Sequence, residues 1–225
     1  MTRFYLSETA QPIDVEVKEL IIAGWAGREQ AGIDEHIAEL KEIGVTPPSS
    51  TPLFYRVAAN QLSTEPDIQV LGEASSGEVE IVLIGTPQGT LMGIGSDHTD
   101  REAEAWSVAH SKQVCAKPVS QQLWRLESVI EHWDSLQMSA YATFDGEEVL
   151  YQQGAVTGLL HPAELLKRFG LEQPQLAPGQ VMLCGTLPVI GGVRASEAFR
   201  MVLEDPVTGR QLEHRYAVQS LAVVA

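Results

Sequence analysis

Residues 13–18 alternate strictly, with Ile13, Val15 and Val17 set against Asp14, Glu16 and Lys18. That period of two predicts a half-buried strand. "LIIAGWAG" continues it as a buried strand closing on glycines, and "FYLS" precedes it as another early strand. The period then changes. Ile33, Ile37, Leu40 and Ile43 fall on one stripe at helical spacing, and Gly44 is placed to stop a helix over 33–44. The proline-rich "VTPPSSTP" is a connector, and "LFYRVAANQL" and "IQVLG" read as extended. "GEVEIVLIG" is the clearest strand, with Val79 and Ile81–Ile84 as buried material. "TPQGT" reads as a turn and "LMGIGS" as a short second strand, which predicts a hairpin. "EAEAWSVAHSKQ" reads as a helix stopped before Pro118. "LQMSAYATFDGEEVLYQQG" predicts a hairpin turning at Asp145-Gly146. "HPAELLKRFG" is a short helix with Pro162 in its first turn and Gly170 at its end. "GQVMLCGTLPVI", "EAFRMVLEDP" and "RQLEHRYAVQSL" are late strands. The sum predicts an α+β chain, mostly β, with a large antiparallel or mixed sheet core and a few short helices.

Composition narrows the function classes. At 225 residues the chain fits one domain over 1–225, the strands of 1–26 being integral or a small appendage. It has 30 acidic against 15 basic residues, net charge −15, and such a chain is repelled by phosphate backbones. No nucleic-acid or membrane partner is therefore expected. The N-terminus does not read as a signal peptide, and no apolar run reaches bilayer length. Cys115 and Cys184 form no disulfide or zinc pattern, which fits a reducing, cytoplasmic setting.

Four places could carry chemistry. Glu78 and Glu80 are separated by one residue beside an apolar strand, so both carboxylates share a face. Crowded carboxylates repel and favour a shared proton or a hard cation; the alternative is a solvated strand face. Asp97 follows the second strand of the hairpin, which could bring it beside the other two. Alternatively "SDHTD" is a self-bonded turn. Gly93, Gly95 and Ser96 before it suit a strand that ends tightly. His36 and Glu39 are neighbours at i and i+3 on the predicted helix, an arrangement able to activate water or to be an ordinary surface pair. Lys112 is a cation facing the acidic cluster or a surface lysine, and Lys117 nearby adds no discrimination. There is no G-x-S-x-G, no G-x-G-x-x-G, and no base for Cys115.

The ordered set "HIAE", "TPPSSTPLFYR", Glu78-Val79-Glu80, "SDHTDRE", "WSVAHSK" and "PGQVMLCGTLP" resembles the fumarylacetoacetate hydrolase superfamily, within a compact bacterial branch of unassigned function. The matching pieces span a motif-bearing core of residues 27–188. The resemblance implies a mixed β-sandwich or β-roll, usually dimeric. It implies a divalent cation, usually magnesium with manganese or calcium as alternatives, on Glu78, Glu80 and Asp97. It implies a small-molecule substrate with a 2-oxo acid, acylpyruvate or β-diketone unit. His36 and Glu39 would form a lid dyad, Lys112 would stand near the reacting carbon, Thr186 on the substrate loop, and Arg101 would brace the Asp97 turn.

Several features depart from that pattern. Sixteen residues separate Glu80 from Asp97, fewer than is usual, and Ser96 replaces an Asn. Arg56 stands where Lys is frequent, as a substrate-binding candidate, and Leu187 interrupts G-T-P. The expected reaction is hydrolysis of a C–C bond in a small oxo acid. Decarboxylation, hydration or isomerisation at the same site is the alternative reaction, and a non-catalytic metal or ligand binder is the alternative of another class.

Overall fold

The computed structural model of the chain describes residues 1–42 and 47–224, without the side chains of residues 35, 36 and 39–42. The early strands are β1 (Thr2–Leu6), β2 (Pro12–Val15) and β3 (Glu19–Gly24); the alternating run over 13–18 is strand only as far as Val15, and residues 16–18 link β2 to β3. The predicted helix is α1 (Gln30–Glu42); its predicted end at Ile43-Gly44 lies outside the described residues. Extended segments follow as β4 (Leu53–Val57), β5 (Leu62–Ser63), β6 (Asp67–Leu71) and β7 (Ser75–Ser76). The predicted hairpin is β8 (Val79–Thr86) and β9 (Gly89–Ser96), followed by β10 (Thr99–Asp100).

The single helix expected over 102–113 is instead two, α2 (Arg101–Glu104) and α3 (Val108–Gln113). Ser107 breaks it: its backbone is extended, with φ −163° and ψ 110°, and its hydroxyl accepts the His110 N–H. A serine in that role starts a new helix rather than continuing an old one. Then come β11 (Lys117–Pro118) and β12 (Gln122–Arg125). β13 (Gln137–Phe144) and β14 (Glu147–Ala155) form the predicted hairpin, with positive φ at Asp145 (50°) and Gly146 (77°) as a tight turn requires. α4 (Pro162–Arg168) precedes β15 (Gln180–Thr186), β16 (Ala198–Asp205) and β17 (Arg210–Leu221).

Two large sheets dominate. The first has eight strands in the order β2-β1-β12-β9-β8-β15-β3-β4, and the second five in the order β14-β13-β16-β17-β6. β1–β12, β15–β3 and β17–β6 pair in parallel, so both sheets are mixed. Between the sheets lies one core cluster, which takes Val79, Ile81 and Leu83 of β8 together with Met138, Phe199 and Tyr216. A second cluster takes Val82 and Ile84 with Phe4, Leu20, Leu91, Leu123 and Val181, residues of the eight-stranded sheet itself. That sheet therefore curls to enclose its own second face, and β8 is buried along its whole length. Phe4, Leu6 and Val15 lie in this second cluster, so the first two strands are integral to the sheet.

The glycines of β9 serve a purpose other than the expected strand end. Gly93 and Gly95 lie inside the strand, where the segment around Val119 crosses it. A Cβ on Gly95 would stand 2.6 Å from Val82 Cγ2 and 2.8 Å from Pro118 O; one on Gly93 would stand 2.7 Å from Leu123 Cδ2. The glycines permit close approach rather than a turn. Among the described residues no helix is long and apolar enough to cross a membrane.

At the far end of β16, buried Asp205 accepts the Thr208 hydroxyl (2.6 Å) and lies 3.1 Å from His132 Nε2. Burial alone would raise its pKa, but the bonds from Thr208 and His132 outweigh it and hold the carboxyl down at about 2. A folded-state pKa below the unfolded one contributes stability above about pH 4 that is lost as pH falls through about 2. Asp205→Asn should therefore cost about 2 kcal/mol at neutral pH and little at pH 2. Urea unfolding at both pH values checks this, and an equal gap at the two would contradict it.

Candidate metal centre

The hairpin register builds the acidic cluster. Val79 pairs with Ser96 and Glu80 with Gly95, so the next residue, Asp97, falls opposite Glu78, and its N–H donates to Glu78 O at 3.0 Å. Glu78, Glu80 and Asp97 then share the face of the hairpin that carries Val82 and Leu91, at the mouth of the curled sheet. One oxygen from each carboxylate lies within 4.8 Å of the other two. Asp97 is 0% and Glu80 2% exposed, and Glu78 is half-buried. The solvated-face alternative fails for Glu80 and Asp97, because neither touches solvent appreciably.

Both neighbours of Asp97 anchor its turn. Ser96 Oγ accepts the Glu78 N–H (3.1 Å) and the Tyr216 hydroxyl (2.9 Å). His98 is fully buried, with Nδ1 2.9 Å from Tyr216 Oη and Nε2 2.9 Å from Ser75 Oγ. With Tyr216 donating to Ser96, His98 donates from Nδ1 and accepts from Ser75 at Nε2. Burial first, and the Lys117 and Arg101 charges second, hold its pKa down at about 3, so the ring is neutral. Thr99 Oγ1 donates to Asp97 O at 2.8 Å, and Asp100 caps α2. Arg101 reaches further than the turn: Nη2 stands 2.9 Å from Glu78 Oε1, Nε donates to Ser76 Oγ, and Nη1 donates to Glu104.

Two lysines enclose Asp97. Lys112, on α3, hydrogen-bonds Asp97 Oδ2 and lies 3.8 Å from Glu78 Oε2 and 5.9 Å from the centre of the Tyr55 ring. Lys117 Nζ lies 3.2 Å from Asp97 Oδ1, off hydrogen-bond alignment. Burial opposes charge on all of these groups, with different outcomes. Asp97 is pulled below the usual carboxylate range because Lys112 and Lys117 outweigh its burial. Lys112 is held above the usual lysine value because Asp97 and Glu78 outweigh its burial. Glu80 is pushed well above the usual range, by burial first and then by repulsion from Asp97 and Glu78.

Opposite the hairpin, β15 supplies a donor. Its pairing with β8 is irregular between Leu183 and Thr186, and Gly185 there has φ 99°. The bulge turns the Gly185 N–H onto Glu80 Oε2 at 2.8 Å. Thr186 Oγ1 donates to Val79 O (2.9 Å) and accepts from Gln152 Nε2 (2.9 Å). Gln152 also accepts the Val79 N–H and donates to Leu187 O, joining the second sheet to the root of β8.

The donor set suits a hard divalent cation: three carboxylates, all oxygen, one in β8 and two just beyond the paired ends of β8 and β9. Among the described residues no aligned hydrogen bond reaches buried Asp97 Oδ1, although Lys117 Nζ stands 3.2 Å from it.

The remaining candidates are placed unevenly. The side chains of His36 and Glu39 lie outside the described residues. The root of their helix is pinned, because Arg28 makes two bonds to Asp134 and donates to Leu159 O. Arg56 shares the β4 face of Phe54, which packs into the inter-sheet core, and its guanidinium lies 4.9 Å from the centre of the Phe169 ring. Tyr55, on the other face, is the β4 residue that Lys112 approaches. A cavity of about 410 Å³ touches Arg101, Glu104, Val193 and Arg194; a second of about 430 Å³ lies at the opposite end of β8, around Gly85 and Thr86.

Sequence reasoning missed Lys117, His98, Tyr216 and Gln152. Lys117 had a signal, being a single charge inside the apolar run "VCAKPV". Tyr216 and Gln152 had none, since they reach the hairpin from 120 and 73 residues away.

Solved structures share this architecture. A proposed fumarylacetoacetate isomerase/hydrolase from Oleispira antarctica superposes with TM-score 0.68 at 19% identity, covering 97% of this chain and 100% of that one. A proposed fumarylpyruvate hydrolase from Burkholderia cenocepacia superposes with TM-score 0.62 at 15% identity, covering 97% and 95%. A 2-keto-3-deoxy-D-arabinonate dehydratase, complexed with magnesium and 2,5-dioxopentanoate, gives TM-score 0.65 at 14% identity, covering 92% and 75%. No curated protein matches the chain. A family model does match, over residues 23–216, taking in every strand of the acidic cluster. On the fold of the fumarylacetoacetate hydrolase proteins, then, the chain belongs to DUF2848, a family described as of unknown function.

Proposed function

We propose that the chain is a divalent-cation-dependent enzyme that hydrolyses a C–C bond in a small oxo acid of the acylpyruvate or β-diketone type. The observation that carries this reading is the buried Glu78–Glu80–Asp97 cluster with a charged lysine, Lys112, at its edge. Glu78, Glu80 and Asp97 would hold the cation, with magnesium the first candidate because the similar dehydratase was solved with it. A bound cation supplies positive charge that chelates a carboxylate and its adjacent oxo oxygen and offsets negative charge developing there.

The chain's own groups divide the remaining work. Lys112 stays protonated between Asp97 and Glu78, so it acts as a fixed charge rather than a base. Water adds to the distal carbonyl carbon, the C–C bond breaks, and its electron pair leaves on the oxo-acid fragment facing Lys112. His36, oriented by Glu39, takes the proton from that water and returns it to the leaving carbon. Arg101 holds Glu78 against the repulsion of its neighbours.

Dehydration of a 2-keto-3-deoxy acid is the second reading, favoured by the dehydratase on the same fold. It needs the same cation and fixed lysine but delivers no water to a carbonyl. Product analysis on acylpyruvates, oxaloacetate, 2-oxo-enoic acids and 2-keto-3-deoxy acids, with magnesium or manganese and a chelated control, separates the two. Hydrolysis gives two fragments, and dehydration gives one product lighter by a water. His36→Ala should lower hydrolysis by about 10²–10⁴-fold with cation binding intact; full activity in that variant removes the dyad.

A further inference from the structure

Lys117 has no part in the chemistry above, yet its side chain is 0% exposed. Its ammonium donates to His98 O (2.6 Å) and Cys115 O (3.1 Å), and its third side is 3.2 Å from Asp97 Oδ1. The backbone beneath it is fixed, because Lys117 pairs in parallel with Leu62 and the Val119 N–H donates to Ser63 O. Lys112 and Lys117 therefore take opposite oxygens of one carboxylate, Lys112 from a short helix and Lys117 from a strand tethered by two carbonyls. A buried ammonium is costly without a counter-charge, and here Asp97 is that counter-charge. The same ammonium repels any second cation that Asp97 ligates, and at this depth the repulsion is weakly screened.

We propose that Lys117 is a resident counter-cation: it holds Asp97 in ligating position in the cation-free protein and weakens the site's grip on a divalent cation, making that cation exchangeable. This rests on the cation reading given above. Lys117 is a positioning residue, acting on Asp97 and on the cation that Asp97 would hold.

The test uses the full chain as wild type, Lys117→Met, Lys117→Gln, Asp97→Asn and the double variants. Gln keeps donors for the two carbonyls and removes only the charge, so it carries the test if the Met variant fails to fold. In chelator, both Lys117 variants should melt below wild type, and adding Asp97→Asn should cost less in either of them than it costs wild type. In a calorimetric Mn²⁺ titration, either variant should bind at least about tenfold tighter than wild type, one ion per chain. Melting equal to wild type, strictly additive losses in the double variants, or an unchanged or weaker Mn²⁺ affinity in a folded variant would each overturn the proposal. A wild type that binds no Mn²⁺ overturns the cation reading and the affinity half of this one; the melts in chelator still judge the Lys117–Asp97 pair.

Discussion

Glu80→Gln should abolish divalent-cation binding and leave the chelated protein at least as stable as wild type. Among the described residues no cationic side chain contacts Glu80 closely, whereas Lys112 and Lys117 contact Asp97 and Arg101 contacts Glu78. Burial and the two neighbouring carboxylates push the Glu80 pKa well up. Gln has nearly the same volume and still accepts the Gly185 N–H, so the bulge of β15 is kept. Replacing a carboxylate whose charge burial disfavours by a neutral amide of like shape is neutral or stabilising. The cation-induced gain in stability, about 2.7 kcal/mol at a hundredfold excess over Kd, should vanish, and kcat/KM should fall by at least about a thousandfold. The pH dependence follows from the sign of the shift. A folded pKa raised above the unfolded one contributes stability at low pH that is lost as pH rises through the folded value. Chelated wild type should therefore weaken as pH climbs above the ordinary carboxylate range, and the variant should lack that slope. Calorimetry with Mg²⁺ and Mn²⁺ and melts across pH are the measurements, and unchanged cation affinity would remove Glu80 from the ligand set.

Asp97→Asn should do the opposite to the fold. Here the charge is native, because two lysines outweigh the burial that opposes it. Losing it strands Lys112 and Lys117 in the interior, and breaking a buried pair from one side costs about 3–5 kcal/mol. The Asn side chain still accepts one hydrogen bond, so the lower half of that range is the sharper expectation. Urea unfolding in chelator measures it; a loss under about 1 kcal/mol would mean that the lysines are uncharged or solvated. Adjacent carboxylates of one cluster thus carry opposite signs in stability.

Much of this was legible in local pattern. The β8–β9 hairpin, the shared face of Glu78 and Glu80, and the arrival of Asp97 opposite Glu78 follow from periods and one turn, all within twenty residues. The β13–β14 turn at Asp145-Gly146 and the capped α4 were local in the same sense. What escaped was long-range. The strand order around β8 brings β15 from a hundred residues away, and no period announces which strands will be neighbours. Gly93 and Gly95 looked like an ending because the crossing segment that needs their bareness comes twenty-five residues later. Lys117 carries no discrimination in the sequence because its enclosure depends on pairing with β5, a strand of two residues. The helix of His36 and Glu39 was anticipated as an element, while Arg28, which fastens its root to Asp134, had no visible partner in the chain.

β8 has no wet side: alternate residues enter two different cores. A carboxylate at position 80 therefore cannot drift there unnoticed, as an acidic residue on an open strand can. A lineage that kept this fold but ceased to need a cation would gain stability by exchanging Glu80 for an amide or an aliphatic residue, and little would hold it back. A cation role for Glu80 thus predicts that the acid persists at that position in chains of this fold that bind a cation and is lost from those that do not.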